Sequence, residues 1–161
     1  MADFKTMAES VGALLKEKGQ TVAVAESSAG GITCAALLAV PGASAYFKGG
    51  GAVYTGDSKK ILMAVSDEAM DEARASTETH ALHLARAARD RVGADWGIGE
   101  TGAAGPTGNR YGDVPGHSCI AVAGPVERVV TVETRHANRG ENMEAFARAA
   151  LALLEACVTE Q

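Results

Sequence analysis

Two serines, Ser27 and Ser28, stand between small apolar residues and a glycine pair in the segment Thr21–Ala36, TVAVAESSAGGITCAA. The β-branched run Thr21–Ala25 reads as a buried strand, and Gly30–Val40 as a helix closed by Pro41 and Gly42. A strand turning into a helix here presents hydroxyls beside free backbone N–H groups at the positive helix end. That suits a bound anion, or a serine nucleophile with its oxyanion donors. It is equally what an N-cap and a tight glycine turn require. No Gly-x-Ser-x-Gly elbow is present, which argues against an α/β-hydrolase.

A serine nucleophile needs a base. Tyr54 and Lys59 follow the second expected strand in YTGDSKK, and both can face the Ser27 loop; solvated helix lysines are the plain alternative. Using lysine is demanding, because deprotonating one of ordinary pKa at pH 7 costs about 4–5 kcal/mol. Burial or a nearby cation has to remove most of that cost. His80 and His83 lie a turn apart on one helix, but no third metal ligand is evident, so they read as surface residues and no metal is expected. His117 and His136 fall at strand ends and decide nothing. Glu26 can accept N–H bonds from the serine loop or balance Lys59. The glycine-rich run Thr101-Gly102-Ala103-Ala104-Gly105-Pro106 has the makings of a backbone cradle for an anion. Arg139 can pair bidentately with phosphate or carboxylate, or lie on the surface.

These residues need a frame. Phe4–Lys18 places Phe4, Met7, Val11, Leu14 and Leu15 on one helical face, and Gly19 stops it. Tyr46–Tyr54 holds the second strand. Asp57 is expected to cap one helix, and Ser66-Asp67-Glu68 the next. Thr79–Val92 is amphipathic, with Leu82, Ala85, Ala88 and Val92 inward. Asp95–Thr101, Cys119–Ala123 and Arg128–Thr134 are strands, the last two a hairpin over Gly124-Pro125, and Asn142–Val158 is the closing helix. Strands alternate with helices early and neighbour each other late. That order predicts a single α/β domain over residues 1–161: a three-layer α/β/α sandwich with a mostly parallel sheet of about five strands, one antiparallel. The loops after Ala25, Tyr54 and Thr101 then meet at the carboxyl ends of parallel strands, where sites collect.

Composition narrows the class. The chain has 161 residues, 47% hydrophobic and 22% charged, enough to bury a core. Net charge is -5 and aromatics are 4%, with no basic stripe, so no nucleic-acid partner is expected. Cys34, Cys119 and Cys157 are scattered and read as buried thiols in a reducing compartment. No signal pattern or bilayer-spanning run appears, so no membrane is expected and the reading is cytoplasmic.

Taken in order, A-E-S-x-x-G-G at Ala25–Gly31, P-G-x-S-x-x-F at Pro41–Phe47, G-x-x-x-Y-x-x-x-x-K at Gly49–Lys59 and T-G-x-A-G-P at Thr101–Pro106 resemble the CinA C-terminal domain family. The resemblance runs from the first helix to the last. The family includes stand-alone nicotinamide mononucleotide deamidases. It implies a three-layer α/β/α fold and an amidohydrolase without metal or other cofactor. The reaction would turn nicotinamide mononucleotide and water into nicotinate mononucleotide and ammonia. The family's serine, tyrosine and lysine fall on Ser27, Tyr54 and Lys59, and its arginine on Arg139. Homo-oligomers are implied as well. On this reading Ser27 attacks the amide while Lys59, aided by Tyr54, takes its proton. N–H groups of Ala29, Gly30 and Gly31 hold the oxyanion. The loop carrying Thr101, Gly102, Ala104 and Gly105, or Arg139, or both, hold the phosphate.

The chain departs from the family at two places. S-C-T-G-G becomes Ser27-Ser28-Ala29-Gly30-Gly31, and K-P-V-G-T becomes Asp113-Val114-Pro115-Gly116-His117. The aspartate reverses a charge near an anionic ligand, with Arg110 available to compensate. Two alternatives therefore stand beside the deamidase: an amidase for another small substrate, and a non-catalytic ligand-binding domain. The N-terminal pyrophosphatase-like domain of longer members does not occur in these residues, and its activity is not expected of them.

Overall fold

Strand β1 (Val22–Glu26) is buried at every residue, which a run of four apolar residues ending in a glutamate achieves only when both faces of its sheet are covered. The computed structural model describes residues 2–161, with side chains from residue 4 onward. Helix α1 (Ala2–Lys18) precedes β1; helix α2 (Ile32–Leu38), a 3-10 turn (Ala43–Ala45) and strand β2 (Phe47–Ala52) follow it. Helices α3 (Gly56–Met63), α4 (Asp67–Glu72) and α5 (Glu78–Val92) come next. Strands β3 (Trp96–Ala103), β4 (His117–Ala123) and β5 (Glu127–Glu133) and helix α6 (Arg139–Thr159) complete the chain.

The sheet order is β2-β1-β3-β4-β5. β1 pairs parallel with β2 and β3, while β3–β4 and β4–β5 are antiparallel. The expected α/β fold with one reversed strand is found, β4 being that strand. Its place between β3 and β5 makes the sheet mixed, with parallel and antiparallel pairings in equal number.

The two faces of the sheet differ in bulk. Val22, Val24, Trp96, Ile98, Ile120 and Val122 face α1, α2 and α6, in one large cluster with Leu15, Leu151 and Leu154. The other face carries Ala23 and Ala25 from β1 and Cys119, Ala121 and Ala123 from β4. Gly97 and Gly99 of β3 lie there too, and a Cβ on either would meet a carbonyl oxygen of α5, Ala85 at 1.9 Å or Ala81 at 2.0 Å. Helix α5 thus lies directly on the backbone of β3. Its buried stripe is His80, Ala81, Leu84, Ala85 and Ala88. Leu82 is only partly buried and Val92 is exposed, contrary to the expected face.

Several ends move from their expected places. Thr55, not Asp57, caps α3 by accepting the Ser58 N–H, while Asp57 lies in the first turn. Ser66 caps α4 as expected. Asn138 caps α6 and brings Arg139 into its first turn.

Candidate active site

The end of β1 makes the site. Pairing of β1 with β3 stops at Ala25 and Gly99. One residue further, two buried carboxylates replace the backbone ladder. Glu26 accepts the N–H groups of Gly31 (2.6 Å), Thr33 (3.2 Å) and Cys34 (3.0 Å), which closes the N-terminus of α2. Burial, with Glu100 nearby, pushes the Glu26 carboxyl above the ordinary range despite these bonds. Of the two expected roles, Glu26 takes the first: it holds the loop.

Glu100 was not singled out by sequence. Its carboxylate accepts the N–H of Ser27 (3.0 Å) and Ala29 (2.8 Å), the Ser118 hydroxyl (2.7 Å) and the Ser28 hydroxyl. Its signal was available in retrospect: a lone acid in an otherwise apolar strand segment, WGIGETG, has to be buried against donors. Ser28 is therefore a structural hydroxyl. The backbone donors expected for an oxyanion are engaged: Ala29 with Glu100, Gly31 with Glu26, and Gly30 with the Ser27 carbonyl (3.1 Å). Among the described residues the Ser28 N–H has no acceptor.

Ser27 is 7% exposed and lines two clefts. The larger, ≈ 700 Å3, is walled by Tyr54 to Gly56, Lys59 and Lys60, the α4–α5 connection, Thr101 and Gly102, and Asn109 to Tyr111. The smaller, ≈ 180 Å3, is bounded by Ser28, Gly30, Ala52, Tyr54, Arg139 and Met143. The Val53 N–H donates to the Glu26 carbonyl (2.7 Å), so β2 stays tied to β1 until Tyr54 emerges. Tyr54 is 62% exposed and stands at both cleft mouths. The loops after β1 and β2 and the end of β3 thus come together as expected.

Lys59 is 3% exposed, although it is a lysine on a short helix. It lines the same cleft as Ser27, and no hydrogen bond joins it to Ser27 or Tyr54 among the described residues. Its Nζ lies 3.0 Å from Nε2 of His80. Burial lowers the Lys59 pKa, with Glu100 opposing. Burial and the neighbouring Lys59 hold His80 down at about 4. The expectation of surface histidines is corrected here: His80 is 1% exposed, and only His83 turns outward, to Glu72 at 2.9 Å. The two rings serve different partners.

The anion cradle divides. Thr101 Oγ1 accepts the Ser76 N–H (2.9 Å), and Thr101 and Gly102 reach the larger cleft. Ala104 is instead packed with Ala29 and Phe146, and its carbonyl accepts from Asn142 (2.7 Å). Neither Ala29 nor Ala104 lines a cleft, so neither can touch a ligand there. Gly105 uses its carbonyl to hold the Arg139 guanidinium. Asp113 meets Arg74 through both oxygens (2.8 and 3.3 Å) and accepts from Asn109 (2.8 Å). These bonds, Arg74 first, hold its carboxyl below the usual range. Arg110 does not compensate it; that guanidinium instead donates to the Tyr111 hydroxyl (2.8 Å).

A mixed α/β sheet with a serine and a buried lysine on one cleft defines the class of protein. Comparison with known proteins makes it specific. The CinA C-terminal domain model matches residues 4–158, and the chain belongs to that family. A CinA-like protein of Gloeobacter violaceus is 39% identical over 141 residues, 88% of this chain and 33% of that protein. One from Synechococcus sp. (strain CC9902) is 41% identical over 140 residues, 87% of this chain and 33% of the relative. The chain thus spans about a third of the length of these relatives. The crystal structure of a competence/damage-inducible protein from Agrobacterium tumefaciens superposes with a TM-score of 0.88 at 28% identity, covering 96% of this chain and 94% of that one. A CinA superfamily protein from Klebsiella pneumoniae gives 0.91 at 22% identity, over 98% and 99%, and speaks for the fold alone. Among the described residues no helix is long and apolar enough to cross a membrane.

Proposed function

We propose that the chain is a carboxamide amidohydrolase whose substrate is a small nucleotide, nicotinamide mononucleotide in the first instance. The observation that carries this reading is the pair on one cleft wall: Ser27, and a buried Lys59 without a carboxylate ion-pair partner among the described residues. Ser27 Oγ attacks the amide carbon and its proton passes to Lys59 Nζ, through Tyr54 where the gap requires it. The C–N bond breaks, and ammonia leaves with the proton from Lys59. Water then attacks the ester, Lys59 takes its proton, and Ser27 Oγ recovers one as the carboxylate departs. The Ser28 N–H, adjacent to the nucleophile and unengaged, is the donor assigned to the oxyanion. Arg139, fixed by Gly105, is assigned to the phosphate.

A second reading, a ligand-binding domain without turnover, draws on the engagement of the Ala29, Gly30 and Gly31 donors. One assay separates the two. Wild type should release ammonia from nicotinamide mononucleotide, and folded Ser27→Ala should not. Nucleotide binding without ammonia would favour the second reading, and ammonia only from other amides would change the substrate. Equal turnover by wild type and Ser27→Ala would remove the nucleophile.

A further inference from the structure

Lys59 has one hydrogen-bonding side-chain partner among the described residues, and it is His80. The ring's other nitrogen, Nδ1, lies 3.0 Å from the Ala73 carbonyl oxygen. A carbonyl only accepts, so Nδ1 carries the proton and Nε2 offers its lone pair to Lys59. Both residues are buried in the wall of the larger cleft, so water has little access to this contact. With its pKa at about 4, His80 keeps this neutral form across the neutral range.

The consequence for a lysine base is directional. An uncharged amine has two N–H donors and one lone pair. Holding one N–H at Nε2 restricts where the lone pair can point and leaves the cleft side available to it. An ammonium formed in turnover keeps that hydrogen bond and gains strength from its charge.

We propose that His80 is a positioning residue for Lys59, anchoring the amine for proton transfer from Ser27 and steadying the ammonium that results. The idea rests on the Ser27–Lys59 amidase reading. His80 keeps its own proton on Nδ1 throughout; the transferred proton moves from Ser27 Oγ to Lys59 Nζ and leaves with ammonia. Other ionisable groups bear on the pair. Glu100 of β3 favours the ammonium, and His83, one turn along α5, is held by Glu72 of α4.

Three variants of the 161-residue chain test it: His80→Gln, His80→Phe and His80→Glu. Glutamine can donate to the Ala73 carbonyl and accept from Lys59, and should retain most activity. Phenylalanine removes the acceptor; kcat should fall roughly tenfold or more with KM little changed. Glutamate puts a negative charge beside Nζ. Lys59, followed by NMR of its ε-methylene, should titrate at higher pH in His80→Glu and lower in His80→Phe. The acidic limb of kcat/KM should move the same way. A histidine that only fills space would leave kcat and the Lys59 titration unchanged in His80→Phe, and identical titration of Lys59 in wild type, His80→Gln and His80→Glu overturns the assignment. If His80→Phe does not fold, those three still decide. Failure of the amidase reading looks different: wild type releases no ammonia, while the Lys59 titration still responds to position 80.

Discussion

The Glu100 carboxylate accepts the backbone N–H of Ser27 at 3.0 Å, so β3 holds the proposed nucleophile by its main chain just beyond the last β1–β3 pairing. The same oxygen takes the Ala29 N–H, and the other takes the hydroxyls of Ser28 and Ser118. The Ser27 hydroxyl, the proposed nucleophile, stays free of this network. Glu100→Ala would strand several buried donors together, and unpaired buried groups cost about 1–3 kcal/mol each. The variant should lose about 3 kcal/mol or more in urea unfolding. An unchanged midpoint would show that water or a shifted loop satisfies those donors equally well.

Glu26 sets a pH dependence of the opposite kind to an ordinary ion-paired acid. Its folded-state pKa lies above the unfolded value, chiefly through burial. The folded protein therefore holds this proton more tightly than the unfolded chain does. The stability it contributes is full below the unfolded pKa and declines as pH rises through the folded one. Glu26→Gln keeps an acceptor for the α2 N-terminus but cannot titrate. The stability of wild type minus that of the variant should fall with rising pH above about 4.5. A difference that rises over that range would reverse the assignment.

On the amidase reading, Asp113 and Arg74 bear on substrate affinity. Arg74 lines the larger cleft, yet both its terminal nitrogens are turned to Asp113. Asp113→Asn removes that charge and releases the guanidinium towards an anionic ligand. The KM for nicotinamide mononucleotide should drop about 2–5-fold at low ionic strength, in keeping with the modest worth of half-exposed ion pairs, and the gain should shrink with added salt. A KM that rises at low salt would mean that Asp113 orders the Asn109–Tyr111 wall, which matters more than its charge.

What the sequence made legible follows from what each signal depends on. Ser27 and Tyr54 were expected on one cleft because each follows a short β-branched or glycine-bearing run, and the family resemblance singled them out together with Lys59, one helical turn further on. Glu26 was legible as a loop holder for the same reason. Glu100 and His80 were not. Glu100 acts between strands and His80 between two helices on one face of the sheet, each with a partner more than 20 positions away, and periodicity says nothing of that. His80 was further concealed by its helix. The buried stripe of α5 is mostly alanine, because Gly97 and Gly99 let the helix touch backbone. A hydrophobicity count gives alanine little weight and turned the helix toward Leu82 and Val92. The reversed strand was implied by the late hairpin, and it pairs between β3 and β5.

The burial of His80 can be read without any substrate. Its folded-state pKa is about 4, below the ordinary value near 6.5. In that interval the unfolded chain binds a proton that the folded protein refuses. Stability from this group is therefore complete above the unfolded pKa and drains away as pH falls toward the folded one. A gap of this size amounts to about 3 kcal/mol, as an order of magnitude for a buried ring. His80→Gln cannot take up that proton in either state. Chemical unfolding across pH 4 to 7 should show wild type losing stability relative to the variant as the solution is acidified, with the difference levelling off below about 4. Parallel curves would mean that the ring is charged or water-exposed in the folded state, and the neutral acceptor assigned to Lys59 would then be lost as well.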